Sequence, residues 1–123
     1  MSYDLAVFDP KAAPREQRAF LAWYEEQTQW SEGHTSSDPQ VTSTSLRSWL
    51  LEMWQAFPPM NGPFAEGDLE NPKVTDYSIG RTIIYAAFAS SQGQLAYTAA
   101  RRLAAQHSVG FFDASGGGEI VFP

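Results

Sequence analysis

The stretch TDYSIGRTIIYAAFAS, residues Thr75–Ser90, predicts the centre of the fold. It is typical of two short strands, residues 76–80 and 82–89. Side chains alternate along a strand, and both faces of the second one are apolar: Ile83, Tyr85 and Ala87 on one, Ile84, Ala86 and Phe88 on the other. A strand that is apolar on both faces belongs inside a sheet, so covering helices are expected around it.

The composition indicates one globular domain spanning residues 1–123. A chain of 123 residues that is 43% hydrophobic and 14% aromatic can bury a sizeable core without metal or disulfide support. It has no cysteine, which agrees with a reducing compartment, and we expect a cytoplasmic protein. The N-terminus has no signal-peptide pattern, and the longest apolar run, residues 83–89, is too short to cross a bilayer.

The charge balance favours one class of partner over two others. Fourteen acidic residues oppose eight basic ones, and the net charge is −6. Nucleic acids and anionic membranes are bound by clustered Lys and Arg, so neither is an expected partner. The net charge favours either solubility or a basic protein as the partner.

The remaining segments predict an α+β fold. Strands are expected at 3–8, 109–113 and 119–122, with helices at 14–29, 44–57 and from Ser90 or Ser91 to about 106. The helix at 44–57 has the clearest apolar spacing, and the third helix is expected to face inward through Leu95, Ala99 and Leu103, with Ala96 and Ala100 as further candidates. The order favours a ferredoxin-like βαββαβ core with an extra helix and a C-terminal β-hairpin, its helices mainly on one face of an antiparallel or mixed sheet.

Few residues suggest chemistry. Asp9 and Asp113 each follow a strand and would form a carboxylate pair near one end of the sheet if those strands are neighbours. His34 lies between Glu32 and Asp38 in a polar loop, but the spacing fits no metal template, and no metal or cofactor is expected. The run Ser115–Gly118 precedes a strand, so a hairpin turn is favoured over a phosphate cradle.

Negative charge gathers in two irregular segments, around residues 25–38 and 66–76. We expect these segments to meet a basic partner, with Trp30 or Phe64 as apolar anchors. The predicted partner-binding residues are Glu25, Glu26, Trp30, Glu32, Asp38, Phe64, Glu66, Asp68 and Glu70.

Several strings together resemble a group of small uncharacterised bacterial proteins: YDLAVFDP (3–10), WYEEQTQWSEGH (23–34), FPPMNGP (57–63), TDYSIG (75–80) and GFFDAS (110–115). In type, the small size, the acidity and the lack of a catalytic signature resemble immunity proteins of bacterial toxin systems. That resemblance implies a protein that neutralises a toxin by covering its basic cleft with an acidic face.

The prediction is therefore a non-catalytic protein-binding module of the immunity type. The alternative is a small enzyme or ligand-binding domain, with Asp9, Asp113, Tyr77 and His34 around a pocket beside the sheet. A homodimer is compatible with either hypothesis.

Overall fold

The computed structural model describes residues 2–29, 39–60, 65, 67 and 70–123. Within them lie five strands and three α-helices. In chain order these are β1 (Ser2–Phe8), α1 (Gln17–Gln29), α2 (Thr44–Ala56), β2 (Asp76–Ile79), β3 (Ile83–Ala89), α3 (Gly93–Gln106), β4 (Gly110–Phe112) and β5 (Ile120–Val121).

The strands form one antiparallel sheet in the order β2-β3-β1-β4-β5. The α+β class is thus confirmed, and β3 is an interior strand, as its two apolar faces predict. β1 also lies inside the sheet, because β3 and β4 pair with its two sides. The C-terminal hairpin is present, with Phe111 opposite Val121 and Phe112 opposite Ile120.

The helices cover both faces of the sheet. α2 and α3 pack with Leu5, Val7 and Ile84 on one face. α1 lies on the opposite face, where Phe20 packs with Phe8 and Phe112. Two of the three described helices therefore share a face of the sheet. The amphipathic α1 covers the other face, because the side chains of Phe8, Ile83 and Phe112 would otherwise be exposed to water.

The helix α2 follows its sequence pattern closely. The Ser43 hydroxyl accepts the N–H of Leu46 at 3.5 Å, which makes Ser43 the N-cap. Of the six apolar residues that its spacing places on one face, Leu46, Trp49, Leu50, Met53 and Phe57 are buried and Trp54 is partly buried. The Trp49 indole donates to the carbonyl of Ala100, so a buried polar atom is satisfied and α2 is tied to α3.

The inward stripe of α3 differs from the leading prediction. Leu103 is buried as predicted and Ala99 is partly buried, but Leu95 is 58% exposed. The further candidates Ala96 and Ala100 are buried, together with Ala104. The alanines lie at the i, i+4 spacing of one face, and their small side chains let the helix approach the sheet closely. Hydrophobicity favoured Leu95 as an inward residue, but close packing placed the alanine stripe inward.

The end of α3 carries a testable backbone feature. Ser108 has φ 58°, a left-handed conformation that usually selects glycine. The N–H of Val109 bonds to the Ala104 carbonyl and that of Ser108 to the Ala105 carbonyl, which is a Schellman arrangement.

Ser108→Gly is expected to raise the free energy of unfolding by about 0.5 kcal/mol, because relief of the left-handed strain exceeds the added entropy of the unfolded chain. Urea denaturation would measure the change. Ser91→Gly, at an exposed residue outside the left-handed region, is the control and should not stabilise the protein. Destabilisation by Ser108→Gly would contradict the strain argument.

Candidate acidic groove on the sheet

The face of the sheet that α1 covers has two unlike ends. Phe8, Ile83 and Phe112 fill one end, under Phe20 of α1. At the other end the same face carries small or polar side chains, and none of these is fully buried: Ser2, Asp4, Asp76, Ala87 and Ala89. The first end is therefore a core, and the second is a partly exposed surface.

Strand register sets two carboxylates on either side of an alanine. Asp4 of β1 is the partner of Ala87 in β3, and Asp76 of β2 is the partner of Ala87 from the other side. Neighbouring strands are about 4.8 Å apart, so the Cα atoms of Asp4 and Asp76 are separated by roughly 10 Å. The short alanine side chain between them leaves a depression in this row.

A groove of about 470 Å³ runs along this end of the sheet. We call it, together with the adjacent Asp4, the acidic groove. Glu70 and Asp76 contribute negative charge, and neither Lys nor Arg is among its described lining residues. The lining is Ser2, Met60, Glu70, Asn71, Pro72, Val74, Asp76, Ala87, Phe88 and Ala89.

Two tyrosines adjoin this carboxylate row. Burial raises the pKa of Tyr85, and a hydrogen bond to Asp4 raises that pKa further. Burial likewise raises the pKa of Tyr24 of α1, with a smaller contribution from the negative charge of Asp4. Both phenols are therefore neutral at physiological pH, and Tyr85 offers a hydroxyl and an aromatic ring beside Asp4.

Three of the nine predicted partner-binding residues lie in the part of the chain that the structure describes. Glu70 lines the acidic groove, and Glu25 and Glu26 are exposed on α1. The other six lie outside the described residues, and their role remains a prediction: Trp30, Glu32, Asp38, Phe64, Glu66 and Asp68.

Sequence reasoning missed Asp4, Tyr85 and Ala87 as site residues. The signal was present in β1, where Ser2 and Asp4 share the face of Ala6 and Phe8. A face that changes from polar to apolar along one strand indicates a sheet that is only partly covered. Asp4 and Asp76 flank Ala87 because of the strand register, and this register could not be predicted from the sequence.

The structure does not bring Asp9 and Asp113 together. Their strands are neighbours, as the hypothesis required, but β1 and β4 are antiparallel, so the carboxyl ends of the two strands lie at opposite ends of the sheet. Asp9 Oδ1 accepts the Lys11 N–H, and buried Asp113 Oδ1 accepts the Tyr3 hydroxyl and the Gly116 N–H. Both carboxylates therefore stabilise local structure.

The rest of the alternative site does not assemble either. Tyr77 lies in the core against α2, and β1 and β3 separate its strand from that of Asp113. His34 lies outside the described residues. His107, the other histidine, is 2.9 Å from Glu52 Oε1 and links α3 to α2. Across residues 2–29, 39–60 and 70–123, no group of three or more His, Asp or Glu side chains is placed to hold a metal ion.

Tyr77 makes the alkaline stability of the protein predictable. Its hydroxyl donates to the Phe57 carbonyl at 2.8 Å, and burial raises its pKa well above the ordinary value of 10.0. The unfolded chain releases the phenolic proton first, so this stabilisation is fully present below pH 10 and is lost as the pH rises from there toward the folded pKa.

We expect the free energy of unfolding to fall by about 1.4 kcal/mol per pH unit from Tyr77 alone above about pH 10. Urea denaturation between about pH 9 and pH 12 would measure this slope. Tyr77→Phe should reduce the slope by that amount, whatever it does to stability at neutral pH. An unchanged slope would show that Tyr77 ionises normally in the folded protein.

The glycine run forms a turn between strands, as predicted. The Asp113 N–H donates to the Glu119 carbonyl and the Gly118 N–H to the Asp113 carbonyl, which closes the β4–β5 hairpin. Gly118 has φ 73°, and a Cβ at Gly116 would lie 2.1 Å from Asp113 Oδ2. These glycines therefore serve turn geometry.

Among the helices that the structure describes, none has the length and apolar character needed to span a membrane. Comparisons with protein-family models, curated proteins and solved structures found no match. The functional conclusion therefore depends on the geometry and charge of the chain itself.

Proposed function

We propose that this protein is a non-catalytic protein-binding module of the immunity type, which covers a basic surface of a cognate bacterial toxin. The observation that carries the proposal is the acidic groove. Asp4, Glu70 and Asp76 place negative charge on a partly exposed sheet face, and no basic residue is among its described lining.

The arrangement of these carboxylates suits recognition better than catalysis. Acid–base chemistry needs groups that converge on one reacting atom within hydrogen-bond reach. Asp4 and Asp76 instead belong to strands separated by β3, and they spread charge over a surface. An acidic surface of this kind matches a basic cleft and suppresses binding of acidic proteins.

Charge and apolar contacts would have separate roles in the complex. A net charge of −6 accelerates encounter with a basic partner, and salt weakens this effect. Met60, which is 42% exposed, lines the groove, and the partly exposed Tyr85 lies next to Asp4. Both would supply apolar contact beside the acids, and such contacts slow dissociation. Trp30 and Phe64 remain the anchors predicted from sequence.

Affinity capture from the native host tests the proposal. The expected result is one basic protein recovered in a stoichiometric complex, with an association rate that falls as salt rises. If that protein is a toxin, adding the module should abolish its toxicity. Failure to recover a stoichiometric partner, or recovery of an acidic one, would overturn the proposal.

Two double variants distinguish the effect of negative charge at the groove from the effect of the total charge of the protein. Asp4→Asn with Asp76→Asn removes two negative charges at the groove. Glu52→Gln with Glu119→Gln removes two charges where both side chains contact α3, on the other side of the sheet. We expect only the first pair to lose most of the binding, and equal losses would contradict a local acidic surface.

We further propose that the fold is the ferredoxin-like arrangement predicted from the sequence. The order β2-β3-β1-β4 with antiparallel neighbours supports it, as does the shared face of α2 and α3. In this arrangement α1 is the extra helix and β5 extends the sheet. An experimental structure with α2 away from that face would contradict it.

A further inference from the structure

We infer that the outer edge of β5, with the groove beside it, binds an extended segment of another protein, which adds a strand to the sheet. The segment carries an acidic residue and, two positions later, an apolar one. β5 lies at the opposite edge of the sheet from β2. The inference therefore concerns a second binding surface and does not rest on the proposed function.

β5 presents backbone hydrogen-bonding groups on its outer side. It is the last strand in the sheet order, so one of its sides pairs with β4 and the other faces outward. The Asp113 N–H donates to the Glu119 carbonyl, so the backbone groups of Glu119 point toward β4. These groups alternate along a strand, and those of Ile120 and Phe122 therefore point outward. A row of outward N–H and C=O groups is a template for an added strand.

The other edge of the sheet is less open. The Thr75 N–H, just before β2, donates to the Pro58 carbonyl, and the Met60 N–H donates to the Thr75 carbonyl. The chain itself thus pairs with the start of the β2 edge. No strand of the described part of the chain pairs with the outer side of β5, so strand addition is favoured there.

A groove of about 300 Å³ adjoins this edge, and residues of both β5 and the start of α1 line it. The side chains of Ile120 and Phe122 lie in the groove lining and pack against the aromatic cluster under α1. Residues directly opposite each other on paired strands place their side chains on the same face. The groove can therefore receive the two side chains of an added strand that lie opposite Ile120 and Phe122. The remaining lining residues are Arg15, Gln17 and Gly118.

Arg15 favours an acidic side chain in this groove. Its guanidinium lies over the Phe122 ring, 4.6 Å from the ring centroid, and the residue is exposed. On an added strand, the residue opposite Phe122 would have its Cβ only about 5 Å from that of Phe122. A carboxylate at this position reaches Arg15 and gains a charge-assisted hydrogen bond.

The direction of the added strand sets the order of its residues. Every strand pair of this sheet is antiparallel, and an added strand continues that pattern. The residue two positions after the acidic one then lies opposite Ile120. Because Ile120 is apolar and partly buried, Val, Ile or Leu is favoured there.

NMR titration with a capped Ser-Glu-Thr-Val-Thr peptide tests the site. The amide signals of Ile120 and Phe122 should shift, and these amides should become protected from hydrogen exchange. The control is the same peptide with N-methyl groups on its glutamate and valine. It lacks the two N–H groups that donate to the Phe122 and Ile120 carbonyls, so it should leave the signals unchanged.

Two variants test the role of the cation. Arg15→Gln removes the charge at the groove, and Arg18→Gln removes the same charge from an exposed position of α1 outside the groove lining. We expect Arg15→Gln to weaken the Kd for the peptide by about threefold or more, and Arg18→Gln to change it by less than about 1.5-fold. Replacing the peptide glutamate by glutamine should weaken binding to the unmodified protein but not to Arg15→Gln.

Three results would overturn the inference. One is the absence of shifts at Ile120 and Phe122 at millimolar peptide, and another is equal binding of the N-methylated peptide. The third is a dimer, detected by light scattering, in which these two amides are already protected without peptide, because a second copy of this chain would then occupy the edge. None of these results depends on the capture of a basic partner, so the inference and the proposed function can fail separately.

Discussion

Phe20→Ala is expected to lower the free energy of unfolding by about 3–5 kcal/mol, the cost of removing a buried phenylalanine from a packed core. Phe20 has no exposed surface and lies at the centre of an aromatic cluster. Its ring centroid is 4.9 Å from that of Phe8, 5.2 Å from that of Phe112 and 6.3 Å from that of Phe122.

The physical reason is that Phe20 joins α1 to the sheet. Phe8, Ile83 and Phe112 form the apolar end of this face, and Phe20 is the fully buried side chain that α1 inserts among them. Trp23 and Tyr24 lie at its edges and are only partly buried. Loss of the ring leaves a cavity that neighbouring rings cannot fill without moving.

Urea denaturation followed by far-UV circular dichroism would measure this loss, and amide hydrogen exchange would show whether α1 opens separately. Leu21→Ala is the matched control, since Leu21 is 41% exposed on the same helix and should change stability by less than about 1 kcal/mol. A Phe20→Ala variant as stable as the control would mean that α1 is held by other contacts.

The outcome bears on the acidic groove. Tyr24 is one helical turn beyond Phe20, and the charge of Asp4 acts on its hydroxyl. If α1 loosens in Phe20→Ala, Tyr24 should become more exposed and its pKa should fall toward the ordinary value of 10.0. Absorbance titration of the phenols would therefore show whether the packing of Phe20 at the apolar end of this face keeps Tyr24 buried at the polar end.

Gly110→Ala is expected to lower the free energy of unfolding by about 2–3 kcal/mol through overpacking. Gly110 of β4 pairs with Phe8 of β1, and the Phe8 ring lies over the glycine. A Cβ added at Gly110 would lie 2.1 Å from Phe8 Cε2 and 2.2 Å from Cζ. Phe8 is fully buried and in contact with the rings around it, so it cannot move aside cheaply.

A double-mutant cycle tests whether the contact with the Phe8 ring causes the loss of stability in Gly110→Ala. Gly110→Ala should cost clearly less in a Phe8→Leu background, because the shorter side chain removes the overlap. Gly117→Ala is the control, since no atom lies within 4 Å of the added Cβ, and its effect should be small. Strict additivity of the two substitutions would contradict the proposed clash.

Local sequence patterns accounted for most elements of this fold. The helix at Thr44–Ala56 was predicted to within one residue, because its apolar spacing, a capping residue at Thr42 or Ser43 and the prolines after Phe57 all agree. β3 was predicted as an interior strand, since both of its faces are apolar. Helix ends and the apolar faces of a strand depend on residues that are close in the chain, so they can be predicted from the sequence.

What only the tertiary structure decided involves residues far apart in the chain. The antiparallel pairing of β1 with β4 separated Asp9 from Asp113, and the register of three strands placed Asp4 and Asp76 beside Ala87. The choice of Ala96 over Leu95 as an inward residue likewise depended on how closely α3 approaches the sheet. The sequence by itself determined the elements and their apolar faces, because these follow from local periodicity. Pairing direction and register follow from the packing of the whole chain, and they decided which side chains meet.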